Sequence, residues 1–136
     1  MSRWRRFALE LFPEHRDWIE DGDTIFSIYQ LFFRLLPIVQ ELHANQDHES
    51  LINAYQFAEW CWAQKKTSPD LHNAVGVAFY EHLVDDASSL REIQDWIKPE
   101  IFQDVKGLFR ARLPPEDYRE LVQRYNRTRG TNFDEF

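Results

Sequence analysis

Residues 68–83 read SPDLHNAVGVAFYEHL, and their apolar side chains are spread almost all the way round a helical wheel. A helix with no broad polar face belongs at the centre of a packed domain. Ser68 followed by Pro69 predicts its start, with serine as N-cap and proline at the first helical position. One-sided patterns flank it. Trp4, Phe7, Ala8 and Leu11 fall at i, i+3, i+4 and i+7 and predict a helix over 2–12 that Pro13 ends. A second helix is predicted over 24–45, capped by Asp23, with its polar residues Ser27, Gln30, Arg34, Glu41 and Asn45 gathered on a narrow face. Pro37 lies inside it and predicts a kink or a split. A third is predicted over 48–65, with Asp47 as N-cap and Leu51, Ala54, Tyr55, Ala58, Cys61 and Trp62 as its buried stripe.

Beyond the central segment, Ser89-Leu90-Arg91-Glu92 matches a capping box and predicts a short fifth helix. Pro99 opens a sixth, with Ile101, Phe102, Val105, Leu108 and Phe109, and Pro114-Pro115 separates it from a seventh carrying Tyr118, Leu121, Val122 and Tyr125. No window alternates apolar and polar residues, so no strand is expected. The expectation is an all-α chain, an irregular or HEAT-like bundle of about six or seven helices. A single domain would cover 1–129 and a tail 130–136, with the second, third and fourth helices at the core.

Composition narrows the class. The chain has 136 residues, of which 43% are hydrophobic and 15% aromatic, ample for a core. Its single cysteine, Cys61, excludes an internal disulfide and a zinc-finger spacing. The apolar run from Ile25 to Val39 is interrupted by Ser27, Gln30, Arg34 and Pro37, so no membrane span is expected. Acids follow the basic N-terminus too soon for a secretory signal, and a cytoplasmic location is the expectation. The formal charge of −7 is uneven: residues 41–104 hold twelve acids against four bases, and residues 105–129 seven bases against three acids. The acidic middle argues against a nucleic-acid partner and suits a basic protein partner.

Candidate chemistry is sparse. Nothing matches a phosphate-binding loop, a dinucleotide fingerprint, a nucleophile elbow or a zinc-protease helix, so no catalytic residue, metal or cofactor is expected. His43 and Asp47 are four apart, a metal-compatible spacing, but no third ligand matches it. Cys61 on a buried stripe reads as an inert core thiol. Glu81 and His82 sit in the apolar central segment, and a buried carboxylate there must be paired or protonated. With His43 they form one candidate polar pocket, for a ligand or a reaction; the alternative is an ion pair that only holds helices together. Trp60 points away from its helix's buried stripe, and Phe26 and Phe33 share a flank of the second helix. These three are the candidate interaction surface.

Two stretches carry a family resemblance: Glu10-Leu11-Phe12-Pro13-Glu14 and the segment from Asn73 to Leu83. Over roughly Phe7 to Val84 the chain resembles a small family of bacterial all-helical domains, and the second stretch is similar to the second helix of a HEAT-like pair. That resemblance implies a fold and no activity, cofactor or catalytic residue. In type, a small acidic helical protein is also similar to the immunity proteins of bacterial toxin systems. The expected role is therefore non-enzymatic protein binding, with neutralisation of a basic toxin as its sharpest version. The alternatives are a small-ligand binder or enzyme built on Glu81, His82 and His43, and a scaffold or regulatory subunit.

Overall fold

The computed structural model describes residues 1–136 and is all-α, with no strand. It contains nine α-helices and two 3-10 turns, more than six or seven because two stretches break into short pieces. Residues 1–79 and 80–136 form two compact units. No helix is long and apolar enough to cross a membrane.

The first unit contains α1 (Arg3–Leu11), a 3-10 turn (Pro13–His15), α2 (Arg16–Glu20), α3 (Ile28–Ala44), α4 (His48–Trp62) and α5 (Pro69–Ala78). As expected, α3, α4 and α5 pack on one another, while α1 packs on α2 and α4. At the centre, the fully buried Phe57 ring lies 5.6 Å from Phe32 and 5.9 Å from both Phe7 and Phe12. Such a buried phenylalanine is worth about 3–5 kcal/mol against alanine.

One predicted boundary moves, and three local details differ from expectation. The helix expected from residue 24 starts at Ile28, because Ser27 and Gln30 form a reciprocal capping box. Asp21 rather than Asp23 organises the preceding turn, accepting from the Asp23 N–H at 3.0 Å and the Thr24 hydroxyl at 2.7 Å. Those bonds, the Thr24 hydroxyl first, hold its carboxyl below the ordinary range. Pro37 does not split α3, which runs unbroken through it. Ser68 makes no side-chain cap bond to α5.

The central segment differs most. It is not one helix to residue 83, since α5 ends at Ala78 and Phe79 takes φ −127°, ψ −72°. No glycine or proline stops it. Phe79 instead sets its ring 5.6 Å from Phe32 and 5.7 Å from Tyr55, so aromatic packing fixes this helix end.

The second unit begins with the other 3-10 turn (Tyr80–Asp85), then α6 (Ala87–Leu90), α7 (Ile93–Trp96), α8 (Pro99–Arg112) and α9 (Pro115–Arg129). The capping box expected at Ser89 does not form. Asp86 caps α6 through the Ser88 N–H, and the buried Ser89 hydroxyl donates to the Leu83 carbonyl. The Phe102 and Tyr125 rings stack 3.8 Å apart between α8 and α9, and the Tyr125 hydroxyl donates to the Ile97 carbonyl at 2.6 Å. Residues 130–136 fold back: Phe133 lies 5.2 Å from Phe102, and the Asn126 side chain bonds both the N–H and the carbonyl of Phe133.

Candidate functional site

Several segments of the first unit meet at a cleft of about 580 Å3. Ser2, Arg3 and Trp4 come from the start of α1, and residues 26–29 lead into α3. Trp60 comes from the end of α4, Gln64 from the turn beyond it, and residues 68–71 open α5. Helix ends, rather than helix faces, build this wall. The apolar stripes of α1, α3, α4 and α5 are consumed by the core, which leaves the aromatic residues at the ends to surround the opening.

Trp60 and Phe26, far apart in the chain, both line this cleft. Trp60 is half-buried, its ring 5.2 Å from Phe7 and 6.3 Å from Phe57, with the Arg3 guanidinium 5.7 Å from its centroid. Phe26 is 70% exposed and forms the lip. A shallower extension of about 200 Å3 continues along α1 past Arg3, Arg6, Phe7, Glu10 and Trp60. Phe33 does not line the cleft; it lies on the outside of α3 and is 56% exposed. The Asn73 amide donates to the Tyr29 hydroxyl at 2.7 Å, and Phe32 meets Phe79. One turn beyond Tyr29 and Asn73 on their helices, Phe33 and Val77 are likewise exposed.

Arg5 holds the lip in place. Its guanidinium donates to the carbonyls of Ile19 and Ile25 and lies 4.9 Å from the Trp4 ring centroid. One planar fork thus joins the end of α2, the residue before Phe26 and a cleft indole. Reading the N-terminus simply as basic misses this role, and the helical wheel assigns Trp4 to the core. The available signal was the alternation of bases with an indole in Arg3-Trp4-Arg5-Arg6.

The candidate polar pocket is distributed differently. His43 belongs to the first unit; it is fully buried, with its Nε2 2.7 Å from the Tyr55 hydroxyl. Glu81 and His82 belong to the second unit and lie in the 3-10 turn rather than on the apolar helix, each side chain 25% exposed. Glu81 Oε2 is 3.7 Å from His82 Nε2, and His82 Nδ1 is 2.7 Å from Asp85. Arg112 grips Asp85 through two bonds of 2.9 and 2.7 Å, the largest reason its carboxyl lies below the ordinary range; that carboxylate in turn raises the Arg112 guanidinium. The result is a chain of polar contacts whose Asp85–Arg112 ion pair ties the turn to the end of α8. Burial pushes the Cys61 thiol far up, away from the nucleophilic thiolate. No group of three or more His, Cys, Asp or Glu side chains is arranged to hold a metal ion.

No curated protein and no solved structure matches the chain significantly. A family model does match, over α1 to the end of α8, leaving α9 and residues 130–136 outside it. With residues 6–113 covered, the chain belongs to the family described as a domain of unknown function, DUF7674.

Proposed function

We propose that this chain is a non-enzymatic protein-binding domain whose contact surface is the aromatic cleft of the first unit. The observation that carries this reading is the convergence of Phe26, Trp60, Trp4 and Tyr29 on one opening of about 580 Å3, with Phe26 left 70% exposed at its lip. Exposed aromatic side chains around a concavity are the usual anchors of protein interfaces. Phe33 and Val77, on the helices that supply Tyr29 and residues 69–71 to the cleft, are also left exposed, which favours a macromolecule over a small ligand. The test is affinity capture from the native cell with the wild-type chain and with Phe26→Ala, followed by reconstitution from purified components. A protein that binds the wild type and is lost with Phe26→Ala supports the reading. Capture of metabolites or nucleic acid alone counts against it.

Toxin neutralisation, in a bacterial cytoplasm and on a HEAT-like helix pair, is the finer form of this proposal. Its support is the small all-helical fold and the single unpaired cysteine, which suits a reducing compartment. Co-expression with the product of an adjacent reading frame tests it: rescue of growth by this chain supports the role, and unrelieved toxicity refutes it.

A further inference from the structure

We infer that the segment taken by the cleft is acidic and carries an aromatic anchor, despite the chain's own net charge of −7. This rests on the protein-binding reading above and adds the chemistry of the partner. The charges of the first unit are segregated. It contains seven Lys and Arg residues; two of them, Arg3 and Arg6, line the cleft or its extension, and three more lie within two residues in the chain of a lining residue. Arg3 and Arg6 line it or its extension along α1. The Arg5 guanidinium lies over the Trp4 ring. Lys65 and Lys66 stand exposed on the turn between Gln64 and Ser68, both of which are lining residues. Only Arg16 and Arg34 lie elsewhere.

The same unit holds eleven Asp and Glu residues, of which Glu10 and Asp70 line the walls. Asp21 stands near Arg5, and Glu59, one residue before Trp60, is half-buried and already engaged. An acidic chain has thus concentrated its cations around one aromatic opening. The summed charge over 41–104 therefore does not describe the surface that a partner meets at Trp60. Each indole already has a guanidinium near its ring, Arg3 at Trp60 and Arg5 at Trp4, so a second cation entering between them meets like charge. A carboxylate meets the reverse, and complementary charge of this kind sets specificity and association rate more than raw affinity. The opening is large enough for one aromatic side chain with its flanking backbone.

Three capped heptapeptides test this, each with a central phenylalanine flanked on both sides by three Glu, three Gln or three Lys. Tryptophan emission and calorimetry follow their titration into the full chain. The Glu peptide is expected to bind at least tenfold tighter than the Lys peptide, with Gln between, and to weaken several-fold from 50 to 500 mM salt. The exposed pair Lys65→Glu, Lys66→Glu should weaken the Glu peptide at least fivefold without unfolding the chain. Replacing the phenylalanine of the Glu peptide by serine should abolish binding. Equal or tighter binding of the Lys peptide overturns the acidic-partner inference and leaves the cleft reading standing. Failure of all three peptides at 1 mM overturns both, and undiminished binding of the serine peptide shows that no aromatic anchor is used.

Discussion

Arg5 makes the most demanding claim on the structure, because one surface-looking arginine is asked to fix the loop that presents Phe26. Replacing it with alanine removes two charge-assisted bonds, to the Ile19 and Ile25 carbonyls, and the contact with Trp4. Hydrogen bonds to charged groups are worth about 1.5–3 kcal/mol each. The site is only part-buried, and water can reach the freed carbonyls, so the lower end applies: about 3 kcal/mol for the pair. Arg5→Lys keeps the charge, but a single ammonium cannot span both carbonyls as the planar fork does, so about half that loss is expected. Urea unfolding followed by tryptophan emission is the suitable assay, since Trp4, Trp18, Trp60 and Trp62 all lie in the first unit and only Trp96 in the second. With an m-value of about 1.5 kcal/mol per molar, the alanine midpoint should fall by about 2 M. If both variants stay within about 0.5 kcal/mol of wild type, as an ordinary surface arginine would, the reasoning is wrong.

Two glycines should respond with opposite signs. Gly107, inside α8, has open space around its missing methyl, so Gly107→Ala should stabilise by about 0.5–1 kcal/mol. Gly130 terminates α9 at φ +67°, where a Cβ is strained, so Gly130→Ala should cost about 1 kcal/mol; thermal melts of the two variants check both. Alkaline pH offers a third test. Burial raises the Tyr125 phenol to about 12, whereas an unfolded tyrosine ionises near about 10. Between those values the unfolded chain gives up a proton that the folded chain keeps, so stability falls as pH rises through that window. Urea midpoints at pH 9 and 11 should show the drop, and Tyr125→Phe should flatten part of it. Tyr118, also raised by burial, should keep the remainder.

The helical class, the core stripes of α4, α8 and α9 apart from Trp62 and Leu108, and most helix starts follow from the chain alone, whereas only Ala8 of the α1 stripe is fully buried. Asp47 caps α4 as its short side chain suggests, and Pro99 and Pro115 open α8 and α9 because a missing N–H costs nothing in a first turn. Trp60 lies off its helix's fully buried stripe, as helical spacing predicts, yet is half-buried against Phe7 and Phe57. Three things were decided only in three dimensions. The end of α5 depends on where the Phe79 ring finds Phe32 and Tyr55, a contact with no signature in neighbouring residues. Glu81 therefore leaves the helix that made it look buried and joins a half-exposed chain of polar contacts. Finally, the cleft joins Trp4, Phe26, Trp60 and Asp70, and Arg5 is fixed by carbonyls up to twenty residues away. Periodicity records which face of each helix is apolar. It carries no information on which helix ends meet, because that depends on how the buried faces pack together.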